Sequence, residues 1–127
     1  MTKEQIEFFE KTFVQLCGLY DDITVLVKKN PNDAMNTFKL RNINKVICSA
    51  NEIVGDTKPF DDFDGFDIDG DMPSNSDVTM VLGQYINCME LVKKNNTHMD
   101  WGRWYWDVDG NKKSLEIQTS SPTMLKK

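Results

Sequence analysis

The sequence predicts an α+β domain: a three-helix bundle-like core, a C-terminal two-stranded β-hairpin, and an acidic loop (56–77) between the second and third helices. Three observations carry that expectation. Apolar residues recur at steps of three and four in three separate stretches, the spacing that lays them along one face of a helix. After His98 the period shortens to two, the repeat of a half-buried strand. Between the second and third helical stretches lie 22 residues rich in Asp, Gly and Pro that follow neither period. At 127 residues and 39% hydrophobic, the chain is long enough to bury one core, so a single domain over 1–127 is expected.

In the first helix Thr2 and Gln5 have the spacing of a capping box. Ile6, Phe9, Phe13, Leu16, Tyr20, Ile23 and Val27 then form one apolar seam. Gly18 and the β-branched pair Thr24-Val25 are weak points, which either weaken the helix midway or break it near Asp21-Asp22. Asn30-Pro31 ends the helix, because a residue before proline avoids the α region.

A second helix is expected to start from Asn32 or Asp33 as N-cap. Its stripe is Ile43, Val46, Ile47, Ala50, Ile53 and Val54, extended backwards by Phe38 and Met35, and Gly55 stops it. Residues 73–77 offer caps for a third helix, whose seam is Val78, Leu82, Tyr85, Met89 and Val92. Ile6, Phe13, Tyr20, Val46, Ile47, Leu82, Tyr85 and Met89 are expected in one core, and the seams of the first and third helices also suit a homodimer.

In the hairpin, Trp104, Trp106 and Val108 point one way, Asp109-Gly110 makes the turn, and Leu115 with Ile117 returns. Residues 119–127 read as a loose tail.

Composition excludes several classes of function. No apolar run approaches the ~18–20 residues of a membrane span, and MTKEQIEFFEK is not a secretory signal, so a cytoplasmic protein without a membrane partner is expected. Cys17, Cys48 and Cys88 stand far apart in apolar surroundings, as reduced thiols buried like small hydrophobes do. His98, the one histidine, lies in a polar context and reads as a surface residue. Phosphate-binding loops, dinucleotide fingerprints, CxxC and HExxH do not occur, so no catalytic residue and no cofactor is assigned. Asp-x-Asp-Gly occurs at 62–65, 67–70 and 107–110, but without the buried strand and following scaffold that phosphohydrolase chemistry needs.

The acidic segment, DTKPFDDFDGFDIDGDMPSNSD, concentrates the charge. Eight Asp against Lys58 give it −7 in a chain of net charge −5, so the remainder carries +2. Clustered carboxylates repel one another, and such a patch attracts basic surfaces, which are commonest on proteins that hold nucleic acid. Interleaved phenylalanines suit a contact anchored by aromatics. The candidate partner-binding residues are therefore Asp61, Asp62, Phe63, Asp64, Phe66, Asp67, Asp69 and Asp71.

Against this stands a plainer reading, in which the Phe side chains tie the loop to the core while the Asp face water. A calcium site is a further alternative, because Asp67, Asp69 and Asp71 occupy positions one, three and five of a loop. Met72 and Val78 then stand where an EF-hand has Gly and a bidentate Glu.

Trp101, Trp104, Tyr105 and Trp106 with Arg103 form an aromatic cluster able to stack bases, but core packing accounts for it and the acidic balance disfavours direct nucleic-acid binding. Thirteen Lys, eleven Asn, two Arg and two Ala fit the low-GC coding of many phages, mobile elements and some bacteria. The combined expectation is a non-enzymatic acidic inhibitor, a nucleic-acid mimic blocking a basic partner such as a host defence nuclease. A helical subunit of a larger assembly is the remaining alternative.

Overall fold

Three helices and a small antiparallel sheet make up the chain, whose computed structural model describes residues 1–70 and 72–123. Helix α1 (Lys3–Lys29) is set by the capping box: Thr2 Oγ1 accepts from Gln5 N at 3.1 Å while Gln5 Oε1 accepts from Thr2 N at 2.8 Å. It runs unbroken through Gly18 and Asp21-Asp22, so of the two alternatives there the break does not occur. Ile6, Phe9, Leu16 and Ile23 are buried along it, and a continuous packed face outweighs weak local propensity.

Helix α2 (Thr37–Val54) starts a turn later than expected, capped by Asn36, whose side chain accepts from Lys39 N at 3.2 Å. The residues before it are held in tertiary pairing instead. Met35 N donates to Pro73 O and Asn75 N to Asp33 O, both at 2.9 Å, and Ala34 bridges Ser74. Met35 is buried as expected, but Phe38 is 73% exposed, because the buried stripe runs through Leu40, Ile43, Ile47, Ala50 and Val54. Gly55, at φ 54°, stops the helix in a conformation that favours glycine.

Helix α3 (Asn75–Asn95) has a capping box of its own between Ser74 and Asp77. All three helices pack on one another. Of the expected core, Ile6, Ile47, Leu82, Tyr85 and Met89 are buried, while Phe13, Tyr20 and Val46 are half-buried against it.

The sheet has order β1-β2-β3, from β1 (Thr97–Asp100), β2 (Arg103–Trp106) and β3 (Gln118–Thr119). β2 pairs with a return strand as expected, but that strand, β3, begins after Leu115 and Ile117, of which Ile117 packs on the core and Leu115 is exposed. β1 adds a third strand along the other edge of β2. The tight turn lies at Trp101-Gly102 (φ 49° and 77°), not at Asp109-Gly110, which belongs to a 3₁₀ turn (Val108–Gly110) in a longer connection. Trp106 closes the sheet onto the helices: it is fully buried, its ring meets Phe9 edge-on at 5.0 Å, and its indole N–H donates to Glu10 at 2.8 Å.

Residues 119–123 are docked and not loose. Lys93 Nζ donates to Ser120 Oγ at 2.7 Å, and Thr123 N donates to the buried Glu90 carboxylate at 2.6 Å. The rest of the expected tail, 124–127, lies outside the described residues. All three cysteines are free, but Cys48 is exposed, and only Cys17 and Cys88 are even half-buried. Among the described residues no helix is long and apolar enough to cross a membrane.

Candidate partner-binding surface

The acidic loop leaves α2 through a 3₁₀ turn (Gly55–Thr57) and reaches α3 with no strand among its described residues. Its interior is anchored from α2. Asn44 grips the backbone of Phe66 at both ends: Oδ1 accepts from Phe66 N at 2.7 Å, and Nδ2 donates to Phe66 O at 2.8 Å. Two peptide groups that have no ladder or helix to pair with are satisfied in this way.

Beside that clamp the aromatic rings form a file. Phe63 meets Phe60 at 6.1 Å and Phe66 at 5.1 Å, both edge-on, and lies 6.3 Å from buried Tyr85. Tyr85 in turn donates its hydroxyl to Asn51 at 2.7 Å. Phe63, Phe66, Ile68 and Met72 are half-buried against the core, and Phe60 stands at the exposed end of the file.

The carboxylates stay in water. Asp61, Asp62, Asp64, Asp67 and Asp69 are all exposed. Lys58 meets Asp64 at 3.2 Å, the one ion pair on the loop among the described residues. Asp67 Oδ1 accepts from Asp69 N at 2.9 Å, folding its carboxylate back over a small turn beside Gly70. Asp77 is withdrawn from the cluster into the α3 cap.

The sequence candidates therefore divide into two sets. Asp61, Asp62, Asp64, Asp67 and Asp69 are exposed to solvent, whereas Phe63 and Phe66 are half-buried tethers, the role of the plainer reading. Asp71, a candidate in both the partner and the calcium readings, lies outside the described residues. Among the described residues no three His, Cys, Asp or Glu side chains converge as a metal site would require.

The base-stacking cluster is likewise dispersed: Trp106 is buried, Trp104 and Tyr105 are half-buried, and Trp101 is 96% exposed at the turn.

A second polar cluster was not anticipated. His98, expected at the surface, is largely covered: its ring stacks on Tyr105 at 6.1 Å, and its Nδ1 lies 2.6 Å from Asp107 Oδ1. Lys112 Nζ meets the other carboxylate oxygen at 3.1 Å. Burial pushes the Asp107 carboxyl up, but the hydrogen bonds from His98 and Lys112 outweigh it and leave its pKa below the ordinary carboxylate value. Among the described residues His98 Nε2 is buried with no hydrogen-bond partner. The one sequence trace of this cluster was the third Asp-x-Asp-Gly, at 107–110. The cross-strand register that sets His98 beside Tyr105 is tertiary information.

Comparison with known proteins adds no relative: no family model, no curated protein and no solved structure matches the chain.

Proposed function

We propose that the chain is a non-enzymatic binding protein that presents the acidic surface of loop 56–77 to a basic surface of a nucleic-acid-handling protein. In its most specific form it is an inhibitor of the kind mobile elements direct against a host nuclease. The observation that supports this reading is the division of labour in the loop: five aspartates are exposed while Phe63, Phe66 and the Asn44 clamp hold the loop backbone. A backed array of carboxylates loses less freedom on binding than a free acidic tail, and it imitates the spaced charges of a phosphate backbone. Free Cys17, Cys48 and Cys88 accord with action in a reducing cytoplasm.

The test is capture of basic proteins from the source cell by the immobilised chain, with release by duplex DNA and by salt. The partner so isolated is then titrated against the triple variant Asp64/Asp67/Asp69→Asn. The variant is expected to lose about tenfold or more in affinity at low salt, mainly through slower association, with the difference shrinking as salt rises. Unchanged affinity at low salt defeats the proposal.

A further inference from the structure

Helices α1 and α2 leave a groove between them in two connected parts. One part, of about 530 Å³, is bordered by Phe8, Gly18 and Val46. The second, of about 260 Å³, continues past Leu19 and Asn42, which border both, to Ile23 and Leu26. On α1 the lining positions run from Phe8 to Leu26, roughly 27 Å at the rise of an α-helix. That is the footprint of a docked helix of about five turns.

Gly18 is the informative position. Glycine weakens a helix interior relative to alanine, yet here no backbone strain calls for it. Internal packing does not call for it either, since a Cβ at Gly18 would meet nothing within 4 Å. The missing side chain instead leaves an opening in the groove. Phe8, which lines the same groove, is an exposed large apolar side chain, and Leu19 and Val46 beside it are only half-buried.

The charges bordering the groove are Lys11, Lys39 and Lys45 against one acid, Asp22. The local balance is thus positive in a chain whose net charge is −5. We infer that this groove docks an amphipathic helix of a partner protein, its apolar stripe on the groove floor and its flanks acidic. A basic helix, or a purely apolar one, would leave the lysines without counter-charges.

This site is separate from the acidic loop. Asn44 and Asn51, which hold the loop and its aromatic file, lie two turns apart on one side of α2. Asn42, Val46 and Ser49 line the groove, roughly 140–180° around the same helix at 3.6 residues per turn. Both surfaces are therefore open at once, and the groove proposal stands independently of the loop reading.

The test uses the whole chain and two labelled helical peptides of about 18 residues. Each carries Leu at helical spacing, one with Glu and the other with Lys on the flanks, and binding is followed by fluorescence anisotropy. The Glu peptide is expected to bind with Kd on the order of micromolar, and the Lys peptide about tenfold more weakly or worse. Gly18→Leu fills the opening and is expected to lower affinity about tenfold or more with the melting temperature retained. If Gly18→Leu fails to fold, the exposed pair Lys11→Glu/Lys45→Glu puts the same question and is expected to abolish the preference for Glu flanks. The Asp64/Asp67/Asp69→Asn variant should bind the Glu peptide unchanged, which separates failure of the groove from failure of the loop reading.

Equal binding of the two peptides, no binding of the Glu peptide at millimolar concentration, or full affinity in a folded Gly18→Leu variant each overturns the inference. So does self-association in sedimentation that Gly18→Leu abolishes, which would give the groove to a second copy of the chain.

Discussion

Burial pushes up the pKa of both Asp107 and Glu90, yet the net shifts have opposite signs, and the difference lies in their partners. Asp107 is 4% exposed, but two donors meet it, and its pKa falls below the ordinary value. The stability it contributes is therefore present above the unfolded-state pKa, and it is lost as pH falls through the depressed folded value. At Glu90 burial raises the pKa, and the hydrogen bond from Thr123 N and the nearby Lys93 only partly oppose it. Its contribution has the opposite sign: favourable below the ordinary glutamate pKa and lost as pH rises through the raised folded value. Asp107→Asn is accordingly expected to destabilise the protein at pH 7 by about 1–3 kcal/mol, with the gap to wild type closing at acid pH. Glu90→Gln keeps an acceptor for Thr123 N and is expected to raise the melting temperature at pH 7, with the gain vanishing near about pH 4. Thermal denaturation of both variants between pH 7 and pH 3 checks the two signs together.

At the scale of elements, local signals set where helices start and stop, while the sheet is set by contacts. The turn from β1 to β2 shows the conflict, because Trp101 sits at φ 49°, in the left-handed region that suits Gly, Asn and Asp. Its side chain is 96% exposed, so the indole contributes almost no packing in return. Trp101→Asn would convert the turn to Asn-Gly, the preferred pair for a two-residue hairpin. A rise in the melting temperature is expected, with the Thr97–Trp106 pairing of β1 and β2 intact by amide exchange. A fall would mean that the indole stabilises the fold more than its exposure implies.

At the scale of the whole molecule, the charge distribution works against compactness in one place. Asp61, Asp62, Asp67 and Asp69 are exposed and form no ion pair among the described residues, and Asp64 meets only Lys58. Exposed pairs of this sort contribute about 0–1 kcal/mol, and a like-charge cluster is relieved by screening over ~8–10 Å. Added sodium chloride should therefore raise the melting temperature of wild type. In Asp64/Asp67/Asp69→Asn the low-salt melting temperature should already be equal or higher, and the salt response smaller. A marked loss of stability in that variant would place the aspartates in the scaffold and not on a binding surface.

The sequence by itself determined the α+β class, the three helices, most of the core and the concentration of charge in one loop. These follow from periodicity, caps and composition, which are local properties: Thr2 with Gln5 and the seam from Ile6 to Ile23 are read within a few turns of chain. Even the loop's two sides were implicit in alternating Phe and Asp, but which side faced inward was left open until Asn44, on α2, was seen to grip Phe66. Only the tertiary structure decided the third strand, the docking of 119–123, the cover over His98 and the open groove at Gly18. Each depends on groups distant in sequence. β1 needs β2 to satisfy its backbone, Thr123 finds Glu90 across 33 residues, and a glycine in a helix reads as a weak point until its neighbour helix is seen to leave it uncovered.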